Sequence, residues 1–232
     1  MILEKQGADT RAALRALAPQ LLGPDHAALD ERLYVRDWRA GFLRECQYTG
    51  GPEHLGSFLA APASGLLRAF TLTAEPSVID RGVDAFVGQR CVRSLQQLTL
   101  SSWNHDGSNV QIMCAGLWGM DQLRHLILRT VMVDEAPELP RLHALTLAPM
   151  RTAVSALSHQ LANMTWPSIT DLTYAMPDMF FDFLMSPLFD LVSRETFPRL
   201  QRLVVSGLPP GVLQMPSLTE ACVDRGIAVT LR

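Results

Sequence analysis

The sequence predicts an α/β solenoid, in which short parallel strands form one sheet and helices cover its other side. Three observations lead to this fold class: a leucine motif recurs along the chain, proline precedes several of its copies, and most intervening segments have helical periodicity. The chain has 232 residues, of which 48% are apolar and 19% charged. A chain of this size and composition can bury a continuous core.

The leucine motif L-x-x-L-x-L predicts the strands. Seven copies, three strict and four looser, begin at Leu67, Leu95, Leu123, Leu142, Ile169, Leu200 and Leu218. Positions four and six of each copy point to one face of a strand, and positions three, five and seven point to the other. Because positions four and six are apolar in the first six copies, we expect parallel stacking to bury them. The predicted buried row comprises Leu98, Leu126, Leu145, Leu172 and Leu203.

Proline marks the entry to four of the copies, where it follows an apolar residue and precedes arginine or serine. These prolines are Pro140, Pro167, Pro198 and Pro216. Proline lacks an N–H group, so it suits a position where a strand has not yet begun to pair. The alternative interpretation is a leucine-rich α/β domain in which the spacing is coincidental.

The gaps between copies predict how the strands are connected. Parallel strands need a crossover, and gaps of 27 to 31 residues leave room for a helix. The predicted helices begin near Ser77, at Asp106 or Ser108, at Thr152 and at Asp178. The gaps of 18 and 19 residues contain the segments 130–141 and 207–217, which we expect to be loops.

Residues 1–60 do not repeat, and we expect them to form a helical cap on the solenoid of residues 61–232. Apolar spacing predicts an amphipathic helix within 8–22 and a short helix over 54–61, whereas 34–48 is expected to include a strand.

Part of this segment resembles a known family. Residues 38–43 (Trp-Arg-Ala-Gly-Phe-Leu), 59–63 (Leu-Ala-Ala-Pro-Ala) and 66–72 (Leu-Leu-Arg-Ala-Phe-Thr-Leu) resemble the companion segment that precedes degenerate leucine-rich repeats in some large-genome bacteria. The Leu-Pro-Arg-Leu entry is similar to those repeats. The resemblance implies a bacterial, cytoplasmic leucine-rich-repeat protein and defines no activity. Asn or Cys is usual at the ninth position of that repeat and is absent here, so the resemblance leaves the solenoid curvature open.

Charge and cysteine content exclude several classes of protein. The net charge is −3 and the basic residues are scattered, so neither nucleic acid nor a membrane surface is an expected partner. No apolar run approaches the length of a membrane span. The widely spaced Cys46, Cys91, Cys114 and Cys222 are expected to be reduced thiols, as in a cytoplasmic protein.

No sequence motif points to catalysis. The six histidines form no metal-binding pair, and no nucleophile, phosphate-binding or dinucleotide motif occurs. The best acid–base neighbours, His105 and Asp106, lie in a polar segment where solvated loop residues are the simpler interpretation. We therefore expect no enzyme, cofactor or metal site.

The sequence instead predicts a protein–protein interaction module that binds on the concave sheet face. The predicted partner-binding residues are Thr99, His125, Ile127, Arg129, Thr146, Asp171, Thr173 and Arg202. Glu220 and Asp224 of the seventh copy are expected on the same face. The alternatives are a dedicated inhibitor or immunity protein for a toxin or enzyme, and an enzyme whose site has no recognisable motif. The alternating segment 227–231 predicts an edge strand that self-associates or is shielded by the preceding turn.

Overall fold

One large, mostly parallel sheet organises a mixed α/β fold. The computed structural model describes residues 16–17, 19–23, 32–39, 41–103, 110–149, 161, 163–176, 192–208 and 216–232. The helices expected from Thr152 and from Asp178 lie outside the described residues.

The main sheet has nine described strands in the order β1-β2-β3-β4-β6-β8-β9-β10-β11. They are β1 (Leu33–Arg39), β2 (Phe42–Tyr48), β3 (Ala69–Ala74), β4 (Gln97–Ser102), β6 (His125–Arg129), β8 (Ala144–Ala148), β9 (Asp171–Ala175), β10 (Arg202–Ser206) and β11 (Ala228–Leu231). β1 and β2 form an antiparallel hairpin, and every later neighbour pairs in parallel.

The predicted row of leucines is confirmed. The register pairs Leu98 with Leu126, then Leu145, Leu172 and Leu203 on successive strands. Each of these side chains is at most 1% exposed. Burying a leucine side chain stabilises a fold by roughly 1.5–3 kcal/mol, so the row is a main source of stability.

The entry prolines have a structural explanation at three copies. In the turn before β8, the Leu142 N–H donates to the Leu139 carbonyl, with Pro140 second in the turn. Pro167 and Pro198 occupy the second position of equivalent turns. In these turns the Ile169 N–H donates to the Trp166 carbonyl, and the Leu200 N–H donates to the Phe197 carbonyl. Proline suits the second position of a β-turn because its φ is already fixed near the required value.

Three described helices lie in the connections or at their ends: α1 (Pro52–Ala60), α2 (Pro76–Asp84) and α3 (Pro216–Asp224). Short 3₁₀ helices span Pro62–Leu66, Arg90–Arg93 and Cys114–Leu117. α2 is the helix predicted near Ser77. Ile79 and Val83 are the buried side chains of its apolar side.

The prediction of a helix that begins at Asp106 or Ser108 is wrong for the residues that the structure describes, from Val110 onward. Residues there form strand β5 (Val110–Ile112) and a 3₁₀ turn. β5 pairs in parallel with β7 (Val131–Val133), a strand inside a segment predicted to be a loop. The spacing of the apolar residues around β5 fits the period of a strand as well as that of a helix. Pairing with β7 buries Ile112 beside Val133.

The strand predicted at the seventh leucine copy is also wrong, because these residues belong to α3. Pro216 is the first residue of that helix, and Leu218 and Cys222 are its buried side chains. Glu220 and Asp224 therefore lie on α3 and not on the sheet. The last strand of the sheet is β11, which corresponds to the alternating segment 227–231.

The expected helical cap is only partly correct. Residues 16–17 and 19–22 are helical, and α1 matches the helix predicted over 54–61. The strand expected within 34–48 is confirmed, but β1 and β2 form a pair of strands, so this segment is not a purely helical cap. Four aromatic rings join this end to the core in sequence, each in contact with the next: Tyr48, Phe58, Phe70 and Phe86. The hairpin therefore extends the sheet as well as covering its end.

Candidate binding face of the sheet

The eight predicted partner-binding residues lie in three registered rows on one face of the sheet. One row holds Gln97, His125, Ala144, Asp171 and Arg202. The middle row holds Thr71, Thr99, Ile127, Thr146, Thr173, Val204 and Thr230. The third holds Thr73, Ser101, Arg129 and Ala148. The alternating burial along each strand places these residues opposite the leucine core.

The middle row is a nearly continuous strip of β-branched residues. Ile127, Thr146 and Thr173 are half-buried, whereas Thr99 is only 5% exposed. Thr99 therefore supports its neighbours and offers little surface to a partner. The register also adds Gln47 of β2 to this row, a residue that the leucine motif could not reveal because β2 precedes the first copy.

His125 connects the first row to the middle row. Its Nε2 lies 2.8 Å from the Thr146 Oγ1, a hydrogen-bonding distance in which the imidazole tautomer decides which group donates. Burial lowers the pKa of His125, and the nearby His143 lowers it further, with Asp171 acting in the opposite direction. The imidazole is therefore held neutral at pH 7.

Asp171 and Arg202 form an ion pair on the same row. The Arg202 guanidinium donates to Asp171 Oδ1, and the Thr170 hydroxyl donates to Oδ2 at 2.8 Å. Burial raises the pKa of Asp171, but the Thr170 hydrogen bond and the Arg202 bond and charge outweigh it, so the pKa lies below its usual value. This pair is internally neutralised and presents little net charge.

A basic row runs beside this face at the amino-terminal ends of the strands. Consecutive backbone hydrogen bonds link Arg44 of β2 to the residues that precede position three of the first six copies: Arg68, Gln96, Arg124, His143, Thr170 and Gln201. We call Arg44, Arg68 and Arg124 the basic row. Arg68 and Arg124 are exposed, and none of the three forms an ion pair within the described residues. Scattered in sequence, they come together only through strand register.

Arg129 supplies an unpaired positive charge at the far side of the face. It ends β6, is exposed, and has no ion pair with any residue that the structure describes. On the hairpin, by contrast, Arg36 is paired with Glu45 at 3.6 Å and contacts Gln47 at 3.3 Å. Arg68, Arg124 and Arg129 are thus positive charges without an ionic partner among the described residues.

The described residues contain no metal-binding cluster, and a cavity that they line is small. No cluster of His, Cys, Asp and Glu there could hold a metal ion. The internal cavity beside Leu128, Leu147 and Trp166 has about 10 Å³ free, room for about one water molecule. No described helix is long and apolar enough to cross a membrane.

Comparisons with known proteins add no identification. No protein-family model matches the chain, and neither a curated protein nor a solved structure matches it. The assignment of this face therefore depends on the registered residues of the chain itself.

Proposed function

We propose that this chain is a protein–protein interaction module of the leucine-rich-repeat type, and that its partner docks on the outer sheet face. The registered strands, the buried leucine row and the repeated proline turns support a solenoid in which that face is concave. The same features support the resemblance to bacterial leucine-rich-repeat proteins.

The observation that carries this proposal is the middle row. Ile127, Thr146 and Thr173 place small or β-branched side chains on adjacent strands, with no charge among them. Such a surface lets a partner approach closely, and charges at its margins then set the orientation. A continuous, neutral strip suits a protein surface better than a small substrate.

The margins indicate the chemistry of the partner. Two acidic residues on strands of the sheet, Glu45 and Asp171, are already paired with Arg36 and Arg202. Arg68, Arg124 and Arg129 therefore remain available for carboxylates. The partner surface is expected to be apolar at its centre and acidic where it meets the basic row.

The test is affinity capture from native cells with three forms of the chain: wild type, Thr146→Arg and Val87→Arg. Val87 is 61% exposed and follows α2, so its variant introduces the same charge away from the sheet face. A true partner is captured by wild type and Val87→Arg, and Thr146→Arg weakens it at least tenfold, about 1.4 kcal/mol in a binding titration.

Two results would move the site elsewhere. Unchanged affinity for both Thr146→Arg and Arg129→Glu would exclude the sheet face. Loss of binding with Val87→Arg alone would assign the helical side. Capture of one toxin or enzyme, inhibited when bound, would instead identify a dedicated inhibitor or immunity protein.

A further inference from the structure

Strand β11 has no partner on its outer backbone edge among the residues that the structure describes. It is last in the strand order, and among the described residues it pairs with β10 alone. The Ala228 N–H donates to Gln201 at 2.8 Å and the Arg232 N–H to Val205 at 3.0 Å. In a parallel pair, alternate residues face alternate sides, so Val229 and Leu231 direct their N–H and C=O groups away from β10.

The opposite edge of the sheet is protected against pairing. β1 carries a bulge between Val35 and Trp38, and the charged Arg36, Asp37 and Arg39 lie along it. Bulges and charges are the usual means by which edge strands avoid adding another strand. β11 reads Ala-Val-Thr-Leu and has neither, nor a proline. Of the two edges of the described sheet, β11 therefore has the features that allow pairing with a further strand, and β1 does not.

The apolar core is also incomplete at this end. Leu203 and Val205 of β10 are fully buried, but their neighbours Val229 and Leu231 are only partly buried. Their inner faces contact the core, and their outer sides lack a neighbouring strand. A strand added here would complete both the hydrogen bonds and the apolar row.

We propose that β11 pairs antiparallel with β11 of a second copy of this chain, which makes one continuous sheet through a two-fold dimer. The register that uses both outward residues places Val229 opposite the partner's Leu231 and Leu231 opposite the partner's Val229. Each such pair exchanges both of its N–H···O bonds. Thr230 then lies opposite the partner's Thr230, and Arg232 opposite the partner's Ala228.

This register has no electrostatic conflict, because no two like charges face each other across the new strand pair. It also places Val229 and Leu231 side by side on the inner face, where the apolar row continues across the two-fold axis. The interface is short and falls below the roughly 1,200 Å² of a stable complex. We therefore expect a reversible, concentration-dependent dimer, which leaves the proposed binding face of each copy accessible.

Cysteine cross-linking tests the register directly. Antiparallel partners without mutual hydrogen bonds have Cα atoms about 4.5 Å apart, within the range for a disulfide. Thr230→Cys is expected to give an oxidised homodimer on a non-reducing gel. Ala228→Cys is the matched control, because its twin lies across from Arg232, and it should stay monomeric. The native Cys46, Cys91 and Cys222 are buried and do not compete.

A backbone variant tests the hydrogen bonds. Val229→Pro removes an N–H that points away from β10, so the monomer should keep the wild-type circular dichroism spectrum and unfolding midpoint. Sedimentation velocity should show that wild type dimerises as concentration rises and that Val229→Pro does not. Monomeric wild type at every concentration, or equal cross-linking of both cysteine variants, would overturn the proposal. If Val229→Pro fails to fold, the cross-linking pair still decides it.

Discussion

The His125 imidazole and the Thr146 hydroxyl are joined diagonally across two neighbouring strands, with 2.8 Å between Nε2 and Oγ1. His125 lies opposite Ala144, and Thr146 is the second residue after Ala144 on β8. This contact ties the charged first row to the neutral middle row. It also places a titratable group at the centre of the proposed binding face.

The first prediction is a dependence of stability on pH through His125. Its pKa is lowered in the folded chain, mainly by burial and then by His143, so unfolding favours proton uptake. Stability from the neutral imidazole is fully present above the unfolded value of about 6.5 and declines as pH falls toward the lower folded pKa. Urea unfolding at pH 8 and pH 5.5 should show that the free energy of unfolding falls less between the two pH values for His125→Gln than for wild type. Equal losses would contradict this prediction.

The sequence predicted the main sheet well because the repeat constrains it at every copy. Both the spacing and the apolar character of the leucine row from Leu98 to Leu203 predict buried strand positions. The strand register then follows from them. Strands β5 and β7 were missed because three residues such as Val131–Val133 carry too little periodicity to indicate a strand. The strand predicted after Pro216 was wrong because proline before an apolar residue fits the first turn of a helix as well as the entry to a strand.

The candidate face was predictable only in part. Because alternation along a strand is strict, the motif predicts that His125, Thr146 and Asp171 share one face, and the strand register confirms this placement. That a partner binds there stays a prediction. The burial of Thr99 and the ladder that aligns Arg44 with Arg68 depend on neighbouring strands and on the hairpin. No single copy of the motif contains that information.

The second prediction concerns the basic row. Arg68→Glu with Arg124→Glu should weaken the captured partner at least tenfold and flatten the salt dependence of its affinity, because both positions lose attraction to carboxylates. Arg81→Glu with Arg90→Glu, on exposed residues of α2 and the following 3₁₀ turn, changes net charge equally. Titrations at low and high salt measure the effect. Equal losses in the two double variants would attribute it to net charge alone.

The third prediction is that all four cysteines are thiols in the native protein. Burial raises the pKa of Cys46 and Cys222, and it raises that of Cys91 to about 11. These three groups stay protonated at pH 8 and should react slowly with iodoacetamide until the chain is denatured. Mass spectrometry without reduction should then show an adduct at each cysteine, Cys114 included. Two missing adducts would reveal a disulfide.

The fourth prediction compares adjacent residues on opposite faces of β6. Leu126→Ala should cost roughly 2–5 kcal/mol, because the side chain is fully buried in the leucine row. Ile127→Ala, on the half-buried outer face, should cost about 1 kcal/mol or less. Denaturant unfolding of both variants measures the difference. Similar costs would mean that the two faces of the sheet are equally enclosed.

The last prediction concerns the close packing of the Cys114–Leu117 turn on α2. A Cβ at Gly116 would clash with Val83 Cγ1 and would lie 2.8 Å from the backbone carbon and oxygen of Val83. The side chain could rotate away, but the backbone atoms belong to a helix packed on the sheet. Gly116→Ala should therefore destabilise the fold by about 1–3 kcal/mol.

Gly56 in α1 provides the matched control, since an added Cβ there meets nothing within 4 Å. Gly56→Ala should stabilise the protein by about 0.5–1 kcal/mol, because alanine loses less backbone entropy than glycine when the helix forms. The two identical substitutions are thus expected to change the free energy of unfolding in opposite directions. A stabilising Gly116→Ala would show that the turn does not pack against Val83.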